Sequence, residues 1–152
     1  YSIKGKRILE VGCGIGLASL VLNHRGADIT ATDHHPEVKN FLDENTLLNQ
    51  DKNIAFVRTG WDDIVNDSLG LFDLIIGSDL LYEKDHAKNL ALFINQHAKD
   101  RCTVLIVDPG RGHIGSFTRH MTSFGYVGFL EKYKSSNLVL KQSLAKILLF
   151  RR

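Results

Sequence analysis

The sequence of 152 residues contains only two cysteines, Cys13 and Cys102, each in an apolar, strand-like setting. A disulfide-stapled scaffold is therefore excluded, and buried free thiols in a reducing, cytoplasmic compartment are expected. No apolar run approaches the roughly 20 residues that a membrane-spanning helix needs, and no signal-peptide pattern opens the chain. Basic residues do not cluster. The 19 Lys and Arg are interspersed with 17 Asp and Glu for a net charge of +2, and the pair Arg151-Arg152 is too short for a nucleic-acid footprint. No His/Cys/Asp group has metal-ligand spacing and no GxSxG elbow is present, which argues against a metal centre and that type of hydrolase. Repeats and low-complexity segments are also lacking. What remains, 43% apolar and 24% charged residues, is ordinary for a globular domain. The length suits residues 1–152 forming one domain with one core. The chain opens on Tyr1 and enters its first strand within a few residues, so a further N-terminal segment is expected ahead of it.

The chain is organised around Ile8-Leu9-Glu10-Val11-Gly12-Cys13-Gly14-Ile15-Gly16. An apolar run ends in an acid, three glycines follow at alternate positions, and Leu17-Ala18-Ser19-Leu20-Val21-Leu22 continues with helical spacing. That pattern is a buried strand, a glycine turn and a helix. Glycine is needed where the backbone takes positive φ or lies against a ligand, and the helix aims free N–H groups at whatever fills the turn. A dinucleotide fingerprint, GxGxxG, would require its third glycine at position 17, where Leu17 stands. Here the third glycine comes one residue early, and Glu10 precedes the turn.

The first strand, Lys6 to Val11, is followed by a helix to about His24, which Gly26 closes. A second strand, Ala27 to Thr32, ends at Asp33, about twenty residues past the glycines, where a carboxylate can accept both ribose hydroxyls of a nucleoside. His34-His35-Pro36-Glu37 opens a helix whose apolar face reads as Val38, Phe41, Leu42, Asn45 and Leu48. The two histidines read as solvated turn residues, with His34 able to line the nucleoside site. Asn53 to Thr59 is a third strand, and Gly60-Trp61-Asp62-Asp63 follows it at the same sheet edge. The fourth strand begins at Phe72 and ends in Ser78-Asp79, with Leu80-Leu81-Tyr82 in the turn. Ligands of open α/β sheets bind off the carboxyl ends of strands where strand order reverses, so Asp79 and Tyr82 should share a crevice with the glycines. A helix bearing Leu90, Phe93 and Ile94 follows, with His97 capping its end or solvated there. Thr103 to Val107 is a fifth strand, broken by Asp108-Pro109-Gly110-Arg111-Gly112. Arg111 reads as a solvated loop residue, pairing with an acidic substrate group being the other option. Ile114, Phe117, Thr118 and Met121 mark a helix that Gly125 stops. The last two strands, Tyr126 to Tyr133 and Ser143 to Phe150, have no helix between them. They imply a hairpin with a turn near 134–137 and hence one antiparallel strand.

Glu10 with GxGxG resembles motif I of the class I S-adenosylmethionine-dependent methyltransferases. Asp79-Leu80-Leu81-Tyr82 is similar to the DxxY pattern after the fourth strand in the seven-β-strand group that contains many protein-lysine methyltransferases. Asp33, Asn45, Asn49 and Gly60-Trp61-Asp62 support the resemblance, which covers nearly the whole chain. It implies a Rossmann-like, doubly wound α/β/α sandwich with a seven-stranded sheet of order 3-2-1-4-5-7-6 and the seventh strand antiparallel. It implies S-adenosylmethionine as cofactor, with Glu10, Gly12, Cys13, Gly14, Gly16, Asp33, His34, Gly60, Trp61, Asp62 and Ser78 at its site. Asp62 would take the adenine amino group, in competition with Asp63, and Trp61 would pack on the base.

Such a cofactor carries its own activated methyl, so the protein need only align a nucleophile and manage one proton. A lysine amine must arrive neutral. With an ordinary pKa of about 10.4, its deprotonation near pH 7 costs roughly 4–5 kcal/mol unless the site lowers that value. Desolvation between aromatic faces lowers it, while a carboxylate holds and orients the ammonium. Tyr82 and Asp79 are the residues expected in these catalytic roles. Methyl transfer to a protein side-chain nitrogen, lysine first, is the expected activity. A small-molecule N- or O-methyltransferase is the alternative enzyme, and a non-catalytic cofactor-binding or scaffold protein the alternative of another class. The presence of Gly12, Gly14, Gly16 and Asp33 argues against the last. Leu17 argues against an NAD-dependent oxidoreductase. No nucleic-acid or membrane partner is evident.

Overall fold

The structure is a computed structural model that describes residues 2–62, 69–132 and 145–152. Its elements are β1 Arg7–Val11, α1 Leu17–His24, β2 Asp28–Asp33, α2 Val38–Leu48, β3 Ala55–Arg58, β4 Phe72–Ser78, α3 His86–His97, β5 Ala98–Asp108, α4 Ile114–Ser123, β6 Val127–Lys132 and β7 Lys146–Arg151. Among the described residues these strands form one sheet of order β3-β2-β1-β4-β5-β7-β6. Strands β1 to β5 pair in parallel, and β7 runs antiparallel between β5 and β6. The implied topology is thus observed. Asp63, the turn at 134–137 and the outer ends of the two last expected strands lie outside the described residues.

Both faces of the central strands are buried, which explains their near-continuous apolar runs. Strand side chains alternate between faces. Ile8 of β1 joins Ile29, Ala31 and Leu74 under Leu20 and Leu22 of α1 and Val38 and Leu42 of α2. Leu9 and Val11 point the other way and join Phe72, Ile75, Val104 and Phe150 under Leu90, Ile94, Phe117 and Met121 of α3 and α4. Each fully buried side chain of this size contributes roughly 1.5–3 kcal/mol. On the α1 side, Leu74, Ile76, Leu105 and Val107 line an apolar cavity of about 620 Å³ whose rim includes Ile15 and Leu17. Strand order reverses between β1 and β4, where Val11 stands beside Gly77. That register brings the glycine turn next to Ser78-Asp79 and so creates the site.

Three expectations need correction. Helix α2 buries Val38, Leu42 and Thr46, while Phe41 and Leu48 are exposed. Thr46 can be buried because its hydroxyl donates to the Leu42 carbonyl at 2.7 Å. His97 is neither a solvated residue nor a surface cap. It is buried, its Nδ1–H donates to the Gly70 carbonyl at 3.1 Å, and its ring packs on Phe93. Strand β5 begins at Ala98, not Thr103, because α3 runs straight into it and Ala98 pairs with Phe72. Arg152 fastens this polar start by donating from Nη2 to the carbonyls of Ala98 and Lys99 at 3.1 Å each.

Candidate active site

The glycine turn is built by the main chain. Gly12 and Gly16 have φ of 63° and 77°, in the left-handed region that disfavours side chains. A Cβ on Gly12 would also lie 2.6 Å from Leu80 Cδ2, and one on Gly16 would collide with Leu42. Cys13 N–H donates to the Thr32 carbonyl at 2.9 Å, and Gly16 N–H to the Cys13 carbonyl at 2.8 Å. Asn45 Nδ2 of α2 donates to the Ile15 carbonyl at 3.2 Å, so the second helix clamps the turn from its far side.

Asp33, at the tip of β2, closes the same turn. Its Oδ2 accepts the Gly14 N–H at 3.0 Å and its Oδ1 the His35 N–H at 2.9 Å. A carboxylate has about four lone-pair sites, so two remain for a ligand's hydroxyls. Glu10 faces into the protein, where Oε2 accepts the Ser19 N–H at 2.9 Å and the Ser19 hydroxyl, satisfying a free donor in the first turn of α1. Desolvation pushes the Glu10 carboxyl up, outweighing these bonds. Burial likewise pushes the Cys13 thiol up to about 12, which keeps it protonated and unreactive. Glu10, Cys13, Gly14 and Gly16 therefore build the turn and do not line the crevice beside it.

That crevice, about 590 Å³, opens off the carboxyl ends of β1, β2 and β4. Gly12, Asp33, His34, Gly60, Trp61 and Asp62 line one end. Ser78, Asp79, Tyr82, Glu83 and His86 line the other, so the structure brings nine of the expected residues into one cavity. Acid side chains dominate its charged lining, which suits a cationic ligand. Leu80 and Leu81 are buried and anchor the DxxY turn from below. Leu80 fills the space above Gly12 and Gly77, at both of which a Cβ would strike it. With the two leucines pointing in, Asp79 and Tyr82 point out.

Reasoning from the sequence missed two partners here. His86, at the start of α3, stands edge-on to Trp61 at 5.0 Å and to Tyr82 at 4.5 Å, between ring centroids. Its Nδ1–H donates to the Leu80 carbonyl at 3.1 Å, which leaves Nε2 facing Glu83 at 3.3 Å. His86 thus joins the two ends of the crevice through one aromatic cluster. Its position four residues beyond Tyr82 at a helix start was the available signal. Arg111 is an exposed loop residue, as expected, but its guanidinium is paired within the chain. Its Nε donates to Asp79 Oδ1 at 2.8 Å and its Nη2 to Oδ2 at 2.6 Å. This fork holds the Asp79 carboxyl below the usual carboxylate range. Among the described residues no group of His, Cys, Asp and Glu could hold a metal ion.

The sequence profile of the family described as lysine methyltransferase matches residues 1–121. Calmodulin-lysine N-methyltransferase of Arabidopsis thaliana is 29% identical over 118 residues, covering 72% of this chain and 39% of that protein. Electron transfer flavoprotein beta subunit lysine methyltransferase of Xenopus laevis is 28% identical over 145 residues, covering 93% of this chain and 58% of that protein. The chain thus spans about half the length of these relatives. Among solved structures, a ribosomal protein L11 methylase of Lactobacillus delbrueckii subsp. bulgaricus superposes with a TM-score of 0.75 at 21% identity, over 99% of this chain and 71% of that one. This likeness shows the fold.

Proposed function

The chain belongs to the lysine methyltransferase family, and we propose that it transfers a methyl group from S-adenosylmethionine to a lysine side chain of a protein. The observation that carries this reading is the crevice itself. One cavity joins a nucleoside end, Gly12, Asp33 and Trp61, to an acceptor end, Asp79 and Tyr82.

The residues fit such a cofactor. Gly12 presents bare backbone at the cavity wall, Asp33 keeps lone pairs for ribose hydroxyls, and Trp61 offers a half-buried ring to a base. Asp62 lies beside Trp61 as an acceptor for an exocyclic amine. Glu10 keeps α1 in register so that its first N–H groups face the turn. When bound, S-adenosylmethionine supplies a methyl activated by a sulfonium. Asp79 accepts hydrogen bonds from the arriving ammonium and orients it. Tyr82, held edge-on by His86, walls the amine from water and favours its neutral form. Relatives named for calmodulin and for the electron transfer flavoprotein beta subunit support a protein acceptor over a small molecule. Two buried, unpaired thiols, Cys13 and Cys102, support a cytoplasmic location.

The test is incubation of the chain with methyl-labelled S-adenosylmethionine and a cell lysate, followed by acid hydrolysis of the protein fraction. Label in methylated lysine is expected. Label confined to small molecules or to another amino acid would refute the lysine reading, and absence of label despite cofactor binding would refute transfer.

A further inference from the structure

The acceptor carboxylate already carries a cation. Arg111 covers both oxygens of Asp79 with parallel charge-assisted bonds of 2.8 and 2.6 Å, the geometry in which a guanidinium fork recognises a carboxylate. The two partners come from different strand ends. Asp79 follows β4 at φ 55°, its N–H donating to the Val107 carbonyl at 2.8 Å. Arg111 follows β5 between Gly110 and Gly112, whose φ of 104° and 94° only glycine adopts readily. Buried Asp108 fixes the base of that loop, its Oδ1 accepting the N–H groups of Gly110 and Arg111 at 2.7 and 3.1 Å. Hydrogen bonds from their own main-chain N–H groups thus position both residues, to the Val107 carbonyl and the Asp108 carboxylate, and the contact between their side chains is left exchangeable. The side chains are 44% and 49% exposed, and ion pairs so exposed are readily broken. Arg111 does not line the crevice, whereas Asp79 does. The guanidinium therefore meets Asp79 from outside the residues that line the crevice.

We propose that Arg111 is a specificity-determining residue for the acceptor, its guanidinium occupying the seat on Asp79 that the substrate ammonium takes in exchange. The inference rests on the lysine reading above. A free amine gains little from the exchange, because each bond it makes to Asp79 replaces one already made. A lysine on a protein docked at the rim arrives at an effective concentration in the millimolar range, of the order that tethering supplies, and wins the seat. Arg111 thereby selects lysine presented by a protein against free small amines.

The test uses n-butylammonium as a probe for the lysine side chain, titrated by NMR into the chain saturated with S-adenosylhomocysteine. Saturation is measured first, and its failure in the wild type would refute the methyltransferase reading itself. Given saturation, R111Q should bind the probe about two- to five-fold more tightly than the wild type. R111K, which keeps the charge and loses the fork, should fall between them. D79N should lose the probe site. Asp79 without its arginine should also titrate at higher pH, so the acid limb of probe binding in R111Q should shift upward, while tighter binding of the probe is the change that a purely structural arginine would not cause. Equal or weaker binding of the probe by both R111Q and R111K would overturn the proposal.

Discussion

The two ends of the crevice are built differently. At the end proposed to hold the nucleoside, Asp33 is buried and its carboxylate is bonded to main-chain N–H groups of Gly14 and His35. At the end proposed to take the acceptor, Asp79 and Tyr82 stand half exposed, and their partners are the side chains of Arg111 and His86. Main-chain bonds inside a close-packed turn cannot rearrange without unfolding it, whereas side-chain contacts at a surface exchange with solvent and ligand. The first construction suits a ligand that never varies. The second suits an acceptor that arrives on the surface of another protein. Leu80 links the two, since it packs against Gly12 in the turn and carries the carbonyl that fixes His86.

This division can be broken most forcefully at Asp33. Asp33→Ala should weaken S-adenosylhomocysteine binding at least about 100-fold in calorimetry, because two hydrogen bonds to a charged group are lost at about 1.5–3 kcal/mol each. It should also lower stability by about 1–3 kcal/mol in urea titration, since the Gly14 and His35 N–H groups lose their acceptor. Asp79→Asn should spare cofactor affinity and lower methyl transfer by about 100-fold, the typical cost of a misplaced nucleophile. If cofactor affinity fell as well, the ends would not be independent. Trp61→Ala should weaken cofactor binding by about ten-fold, from a stacking contribution of about 1–3 kcal/mol.

The smallest effect is expected beneath the turn. Burial raises the Glu10 carboxyl above its ordinary 4.5. A carboxyl raised on folding binds its proton more tightly in the folded chain. Its contribution to stability therefore falls as pH rises from near that ordinary value through the folded one. Glu10→Gln keeps an acceptor for the Ser19 N–H and removes this titration. Its urea midpoint should fall less than that of the wild type between about pH 4 and pH 8.

The glycine turn and the carboxylate that closes it were largely legible in the sequence. Their determinants are local: Glu10 to Gly16 is contiguous, and Asp33 follows one strand–helix–strand unit later. The terminal hairpin was legible because no helix separates the last two strands, whereas the sheet order came from the family resemblance carried by the glycine turn and the DxxY pattern. The turn carrying Asp79 and Tyr82 was half legible. Asp79 and Tyr82 were found by their strand-end position, but Arg111 lies 32 residues from Asp79 and only the β4–β5 pairing brings them together. Its flanking glycines, in the loop after the strand next to β4, were the available sign. The side of α2 that packs was misjudged because residue type favoured Phe41 and Leu48, whereas a threonine that satisfies its own hydroxyl takes the buried position. His97 was misjudged because a histidine near a helix end reads as polar until the Gly70 carbonyl beneath it is seen.

The most direct measurement is a calorimetric titration of S-adenosylhomocysteine into the wild type, Asp33→Ala and Asp79→Asn. Single-site binding by the wild type, equal affinity in Asp79→Asn and none detectable in Asp33→Ala are expected of a crevice with a fixed cofactor end and a separate acceptor end. Failure of the wild type to bind, or undiminished binding by Asp33→Ala, would contradict it.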